Sequence, residues 1–206
     1  MRSLPAMPGI VHLVRHGEVL NPDHLVYADL PGFGLSDRGR AQALAAASTL
    51  EPGPVEAVWS SPLLRAVRTA EVIAVPHRLP VRVHPGLTEW GLLVRWRGIP
   101  WEAVPDEFPG ELEAYLDDPR EIPHTPESLD ALADRTAAAV EEIGLVSPSP
   151  VVVVGHQDPI HAAVRRLTGE GLDRFHTDKP THAEVITLEG PPWRVVEHTV
   201  HEGTTP

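Results

Sequence analysis

The stretch PVVVVGHQDPIHAAVRRLTG, residues 150–169, decides the fold. Its run of valines, 151–154, is short, apolar and β-branched, which predicts a strand buried on both faces. His156 and Gln157 follow at once. A helix then begins, with Asp158 as its expected N-cap and Pro159 in its first turn. A buried strand that runs straight into a helix is the building unit of a parallel sheet with helices on its faces.

The same pattern recurs through the chain. GIVHLV (9–14) reads as a strand, followed by a Pro- and Gly-rich loop and a helix in SDRGRAQALAAASTL, with Ser36 as N-cap. VEAVW (55–59) and VRVH (81–84) read as further strands; between them lies a helix with Ser61 as cap and Pro62 at its first position. In 125–144, Leu129, Leu132, Ala133, Thr136, Val140 and Ile143 share one helical face, started by Thr125 and Pro126 and stopped by Gly144. AEVITL (183–188) and WRVVEHTV (193–200) close the pattern as strands. The fold class expected is a three-layer α/β/α sandwich with a mainly parallel central sheet. Its 206 residues, 42% of them hydrophobic, suit one domain over 1–206, interrupted at about 86–125 by an irregular insertion rich in Trp, Pro and acids.

Composition narrows the function. There is no Cys, which removes disulfides, thiolate catalysis and Cys-held zinc. A net charge of -12 argues against nucleic acid. The acidity is uneven, because ten of the 29 acids but one of the 17 bases lie in 101–130, which reads as a solvated face. The remainder is close to neutral and leaves room for an anion site. No segment has the length of a membrane span or the form of a signal peptide, so the expectation is a soluble, cytoplasmic protein that uses no membrane. Nothing in the sequence specifies an oligomer.

Polar residues converge where ligands bind such a sheet, beyond the carboxyl ends of its strands. The first strand ends in Arg15-His16-Gly17-Glu18, the second leads into Ser60, Ser61 and Arg65, and the valine strand ends in Gly155-His156. Two arginines and two histidines on one rim, with helix N-termini adding backbone N–H groups, suit phosphoryl transfer. Arginine's fork matches the phosphoryl oxygens, and a neutral imidazole is a competent nucleophile. His12, inside the first strand, reads instead as a hydrogen-bonded strand residue, and Arg68 as an ion-paired helix arginine. There is no HExxH pair, and His156 and His161, five apart, face different ways on a helix, so no metal site is expected.

LVRHGE, LSDRGRAQA, SSPLLRAVRTAE, LTEWG and VVVVGH, in that order, resemble the motifs of the histidine phosphatase, or phosphoglycerate mutase-like, superfamily. The resemblance implies that fold and a small phosphorylated substrate, with no cofactor. It implies His16 as the nucleophile that becomes phosphohistidine, Arg15 and Arg65 as clamps on the phosphoryl group, His156 as a further donor and Glu89 as proton donor. Asn21 matches a residue that touches the phosphoryl group or substrate. Glu18 stands as a rival acid or a loop anchor, while Gln157 and Tyr27 are candidate pocket residues, with Phe33 beside Tyr27 on the rim.

Three departures stand out. Val19 replaces a frequent Thr, Gln157 and Asp158 replace frequent glycines, and Trp90 to Thr125 does not match the mutases' substrate segment. The last departure favours a phosphatase over a mutase. In that segment Trp90, Trp96 and Trp101, with Arg95 and Arg97, either line a substrate mouth or pack the insertion onto the sheet. A noncatalytic phosphate-binding protein is a third reading, for which the expected sign, loss of His16, an arginine or the acid, is missing.

Overall fold

A computed structural model describes residues 9–120, 122, 125–146, 149–173 and 175–201. Among them six strands form one sheet: β1 (Gly9–Arg15), β2 (Ala57–Ser60), β3 (Val81–Val83), β4 (Val151–Gly155), β5 (Val185–Gly190) and β6 (Arg194–Thr199). Their order is β3-β2-β4-β1-β5-β6. The first four are parallel and the last two antiparallel, which gives the mainly parallel sheet expected.

The valine run of β4 explains the layering. Val151 and Val153 point to one face, where Ala137, Val140 and Ile143 of α6 (Leu129–Val146) and Ile160 and Ala163 of α7 (Gln157–Thr168) cover them. Val152 and Val154 point to the other, under Ala46, Ala47 and Leu50 of α1 (Asp37–Leu50) and Ala66, Ala70 and Ile73 of α2 (Leu64–His77). All four valines are buried, each side chain contributing about 1.5–3 kcal/mol of apolar burial. Alanines on α1 and α2 let these helices pack closely on the sheet.

The helix after β1 lies on one face and the helix after β4 on the other, although β1 and β4 are neighbours. A crevice must open between the carboxyl ends of such a pair. Register keeps the three strand ends level: Arg15 pairs with Gly155, Ser60 pairs with Val154, and the N–H of His16 bonds to the carbonyl of Gly155 at 3.0 Å.

Several expected element ends move. Helix α2 starts at Leu64 with Leu63 at the capping position and no side-chain cap, and Ser61, two residues earlier, accepts from the Leu63 N–H at 3.3 Å and bonds His156. Helix α7 starts at Gln157, so Asp158 is inside it and His156 is the capping position. Helix α6 starts at Leu129, with Ser128 accepting from the Ala131 N–H, and passes through Gly144 instead of stopping there. Gly144 is selected by space: a Cβ there would lie 2.7 Å from Val11 and 2.8 Å from Trp193.

The insertion is not irregular throughout. It contains two 3-10 turns (Pro85–Leu87, Trp101–Ala103) and three short helices, α3 (Gly91–Val94), α4 (Val104–Glu107) and α5 (Glu111–Asp117). Trp90 and Trp96 are fully buried among Leu92, Tyr115, Leu129 and Phe175, so these two pack the insertion onto the domain. Short loops and interrupting prolines hid that pattern, since a four-residue helix has no readable period.

Candidate active site

The crevice at the ends of β1 and β4 is a cavity of about 180 Å³. Its wall includes Arg15, His16, Tyr27, Glu89, Gln157 and Asp158. β1 delivers Arg15 and His16, the first turn of α2 delivers Arg65, the segment after β3 and its 3-10 turn delivers Glu89, and the end of β4 delivers His156.

His16 is buried, and both its ring nitrogens have defined partners. Nδ1 lies 2.7 Å from the carbonyl of Gly17, which only accepts, so Nδ1 carries the proton. Nε2 accepts from Arg65 Nε at 3.2 Å, which only donates, so Nε2 bears the lone pair. Burial, followed by the charges of Arg65, His156 and Arg15, holds the ring's pKa well below the usual histidine range. The imidazole is therefore neutral, with its lone pair held by Arg65 Nε.

Arg65, 1% exposed, also donates to the carbonyl of Ala28 at 2.8 Å and stacks over the Tyr27 ring at 4.6 Å. Its NH2 stands 3.6 Å from Glu89 Oε2. Arg15 is held by the carbonyl of Pro180 at 2.9 Å and by His182 Nε2 at 3.0 Å. Since arginine has no acceptor, His182 must receive that bond.

His156 is fully buried, with Nε2 at 2.7 Å from the Ser61 hydroxyl. Its Nδ1 has no hydrogen-bond partner and lies 3.6 Å from Glu89 Oε2. The Ser61 hydroxyl accepts from the Leu63 N–H and gives its own proton to His156 Nε2, so the ring's proton sits on Nδ1. His156 is thus a donor awaiting an acceptor, and burial, then the charges of Arg65 and Arg15, holds its pKa well below the ordinary value.

Glu89 Oε1 accepts from the Trp90 N–H at 2.9 Å. Burial raises its pKa against the pull of Arg65, and the charge of Asp158 raises it further. Behind it, Arg135 of α6 bonds to the carbonyls of Gly86 and Thr88 and pairs with Glu127 at 2.7 Å. Glu127 in turn accepts from the Gly91 N–H at 2.8 Å. This frame fixes the turn that carries the acid.

The structure brings together His16, Arg15, Arg65, His156 and Glu89, with Tyr27 and Gln157 on the wall. Asn21 is elsewhere: its amide bonds at both ends to the backbone of Leu25, as a clamp on its own loop. Glu18 accepts from Ser36 at 2.6 Å and pairs with Arg38 at 3.4 Å, anchoring the loop to α1. Trp101 is on the cavity wall, but Arg95 chelates Glu111 and Arg97 pairs with Asp29. Phe33 stacks on Tyr27 with ring centroids 5.3 Å apart. His12 bonds Thr187 at 3.0 Å and Arg68 pairs with Glu71 at 2.8 Å, as their positions predict. Sequence reasoning missed His182, Ser61 as partner of His156, and the Arg135–Glu127 frame. Among the described residues no group of three or more His, Asp or Glu is placed to hold a metal ion, and no helix is long and apolar enough to cross a membrane.

Comparison with known proteins finds relatives among phosphatases. A family model described as histidine phosphatase superfamily (branch 1) matches residues 11–201. A glucosyl-3-phosphoglycerate phosphatase of Mycolicibacterium vanbaalenii is 35% identical, over 79% of this chain and 76% of its own. Phosphoserine phosphatase 1 of Hydrogenobacter thermophilus is 32% identical, over 79% and 78%. Among solved structures, a mycobacterial glucosyl-3-phosphoglycerate phosphatase in complex with inorganic phosphate superposes with a TM-score of 0.79 at 28% identity, covering 92% of this chain and 96% of that one.

Proposed function

The chain belongs to the histidine phosphatase superfamily, and from that premise we propose that it is a metal-independent phosphatase that hydrolyses a small phosphomonoester through a phosphohistidine on His16. The observation that carries this reading is the fixed lone pair of His16 Nε2 beside the buried Arg65 and the half-buried Arg15. That nitrogen attacks phosphorus while the ester P–O bond breaks, and Glu89, whose pKa burial raises, gives a proton to the leaving alkoxide. Phosphorylation places positive charge on the ring, and the Gly17 carbonyl at Nδ1 stabilises it.

Arg65 releases His16 and turns its donors to the equatorial oxygens, joined by Arg15 and by the unpartnered Nδ1–H of His156. Water then attacks phosphorus, Glu89 as carboxylate takes its proton, and the P–N bond breaks to release phosphate and neutral His16. Transfer back to a second substrate, as in a mutase, needs cations for that substrate's other anionic group. Arg95 and Arg97 are committed to Glu111 and Asp29, which favours hydrolysis.

The test is turnover of p-nitrophenyl phosphate in excess EDTA. We expect full activity with chelator and background activity in His16→Ala. Dependence on added metal, or unchanged turnover in His16→Ala, contradicts the reading.

A further inference from the structure

The cavity wall also includes Asp158 and Tyr115, and Lys179 is bonded to both. Lys179 Nζ lies 2.6 Å from Asp158 Oδ1 and 3.2 Å from the Tyr115 oxygen, and the Tyr115 hydroxyl donates to Asp158 Oδ2 at 3.0 Å. All three side chains are nearly buried, and burial and the carboxylate together keep the phenol protonated. None of them takes part in the chemistry proposed above.

The bonding decides what this group accepts. Lysine offers only donors, and its ammonium is already turned to Asp158 and Tyr115. The phenol uses its proton on Asp158. What this group adds to the wall is acceptor capacity: Asp158 Oδ1 is bonded to Lys179 and Oδ2 to Tyr115, and an ionised carboxylate oxygen accepts more than one donor. Its charge is balanced by Lys179, so an incoming ammonium would add a third charge beside an existing cation. A second anionic group would face the carboxylate directly, with Arg95 and Arg97 turned to other acids. An uncharged hydroxyl is the group that fits. The volume, about 180 Å³, lies below the roughly 300 Å³ at which most ligand pockets begin, and so limits the alcohol to a few carbons.

We propose that Asp158, Tyr115 and Lys179 form a hydroxyl-reading subsite, so that the substrates of this site are phosphomonoesters of short uncharged polyols and esters carrying a second charge are rejected. The proposal rests on the phosphatase reading. Its test uses a matched pair: racemic glycerol 3-phosphate and racemic 3-phosphoglycerate differ only in whether the terminal carbon is a hydroxymethyl or a carboxylate. Ethanolamine phosphate supplies the ammonium, and p-nitrophenyl phosphate reports on phosphoryl transfer alone.

We expect kcat/KM for glycerol 3-phosphate to exceed that for each charged ester at least tenfold. Asp158→Asn frees the Lys179 ammonium and shifts the ratio toward 3-phosphoglycerate by tenfold or more. Lys179→Gln leaves the carboxylate unbalanced and shifts it the other way, with ethanolamine phosphate gaining. Equal or better turnover of 3-phosphoglycerate by the unaltered protein overturns the proposal, as does a ratio that neither folded variant moves. Failure to turn over any of the four, the aryl ester included, counts against the phosphatase reading itself.

Discussion

His16 Nε2, the atom proposed to attack phosphorus, accepts a bond from Arg65, so in that reaction substrate has to win the arginine first. The exchange is favourable because a phosphoryl oxygen is a charged acceptor and a neutral imidazole is not. Protonation then sets the working range. A histidine held well below its usual pKa stays neutral, and nucleophilic, under mildly acidic conditions. A glutamic acid whose pKa is raised keeps the proton it must give, and loses it as pH rises. We therefore expect kcat/KM to be retained below the ordinary histidine range and to fall on the alkaline side of the raised Glu89 value. In Glu89→Gln, pH–rate profiles should lose that falling limb, with activity lowered about 10²–10⁴-fold.

The five residues proposed to react could be picked out because each follows a strand end or opens a helix in a readable motif. Asn21 and Glu18 were misleading for the same reason: proximity in sequence to His16 says nothing of where a side chain turns. His182 was illegible, since it lies 167 positions from the arginine it holds and belongs to no periodic segment.

At the scale of elements, the loop after β1 is pressed against the first turn of α1. A methyl group on Gly39 would overlap the backbone of Glu18, and one on Gly17 would overlap the carbonyl of Gly39. The contact sets the position of Gly17, whose carbonyl orients His16 and whose N–H is bonded to Thr69 at 3.1 Å. Gly39→Ala is expected to cost about 1–3 kcal/mol in denaturant unfolding, as overpacking of a tight backbone contact does, and to lower kcat/KM through the displaced imidazole. Wild-type stability and activity would show that the two segments separate freely.

The cores of these elements could be read from period alone. Their ends could not, because capping groups were drawn into tertiary bonds: Ser61 serves His156, and Asp158 serves Lys179 and Tyr115. The short helices of the insertion take their order from Trp90 and Trp96 in the core, a tertiary cause that leaves no local signal.

For the whole molecule, the alternation of strands and helices was enough to give the layers, the parallel sheet and the crevice at its switch point. What the chain stores there is a set of histidines held neutral by burial. His161 is one outside the reaction: it lies against Phe175, its Nε2 has no partner, and burial lowers its pKa to about 4. Between the unfolded value of 6.5 and about 4 the unfolded chain binds the proton and the folded one does not, so stability falls as pH falls through that window. This one group accounts for up to about 3 kcal/mol of that loss. His161→Leu should flatten the decline of unfolding free energy between pH 6.5 and 4, and an unchanged slope would contradict the assignment.

A covalent bond between His16 and phosphorus is the central step of the hydrolysis proposed for this site. Rapid mixing with substrate labelled on its phosphoryl group, quenching in base, where N-phosphoryl bonds survive, and peptide mapping would reveal it. We expect up to one acid-labile phosphoryl group per chain, carried on the peptide containing His16 and lost in His16→Ala. Steady turnover without any such label, or label on another residue, would contradict a phosphohistidine at His16.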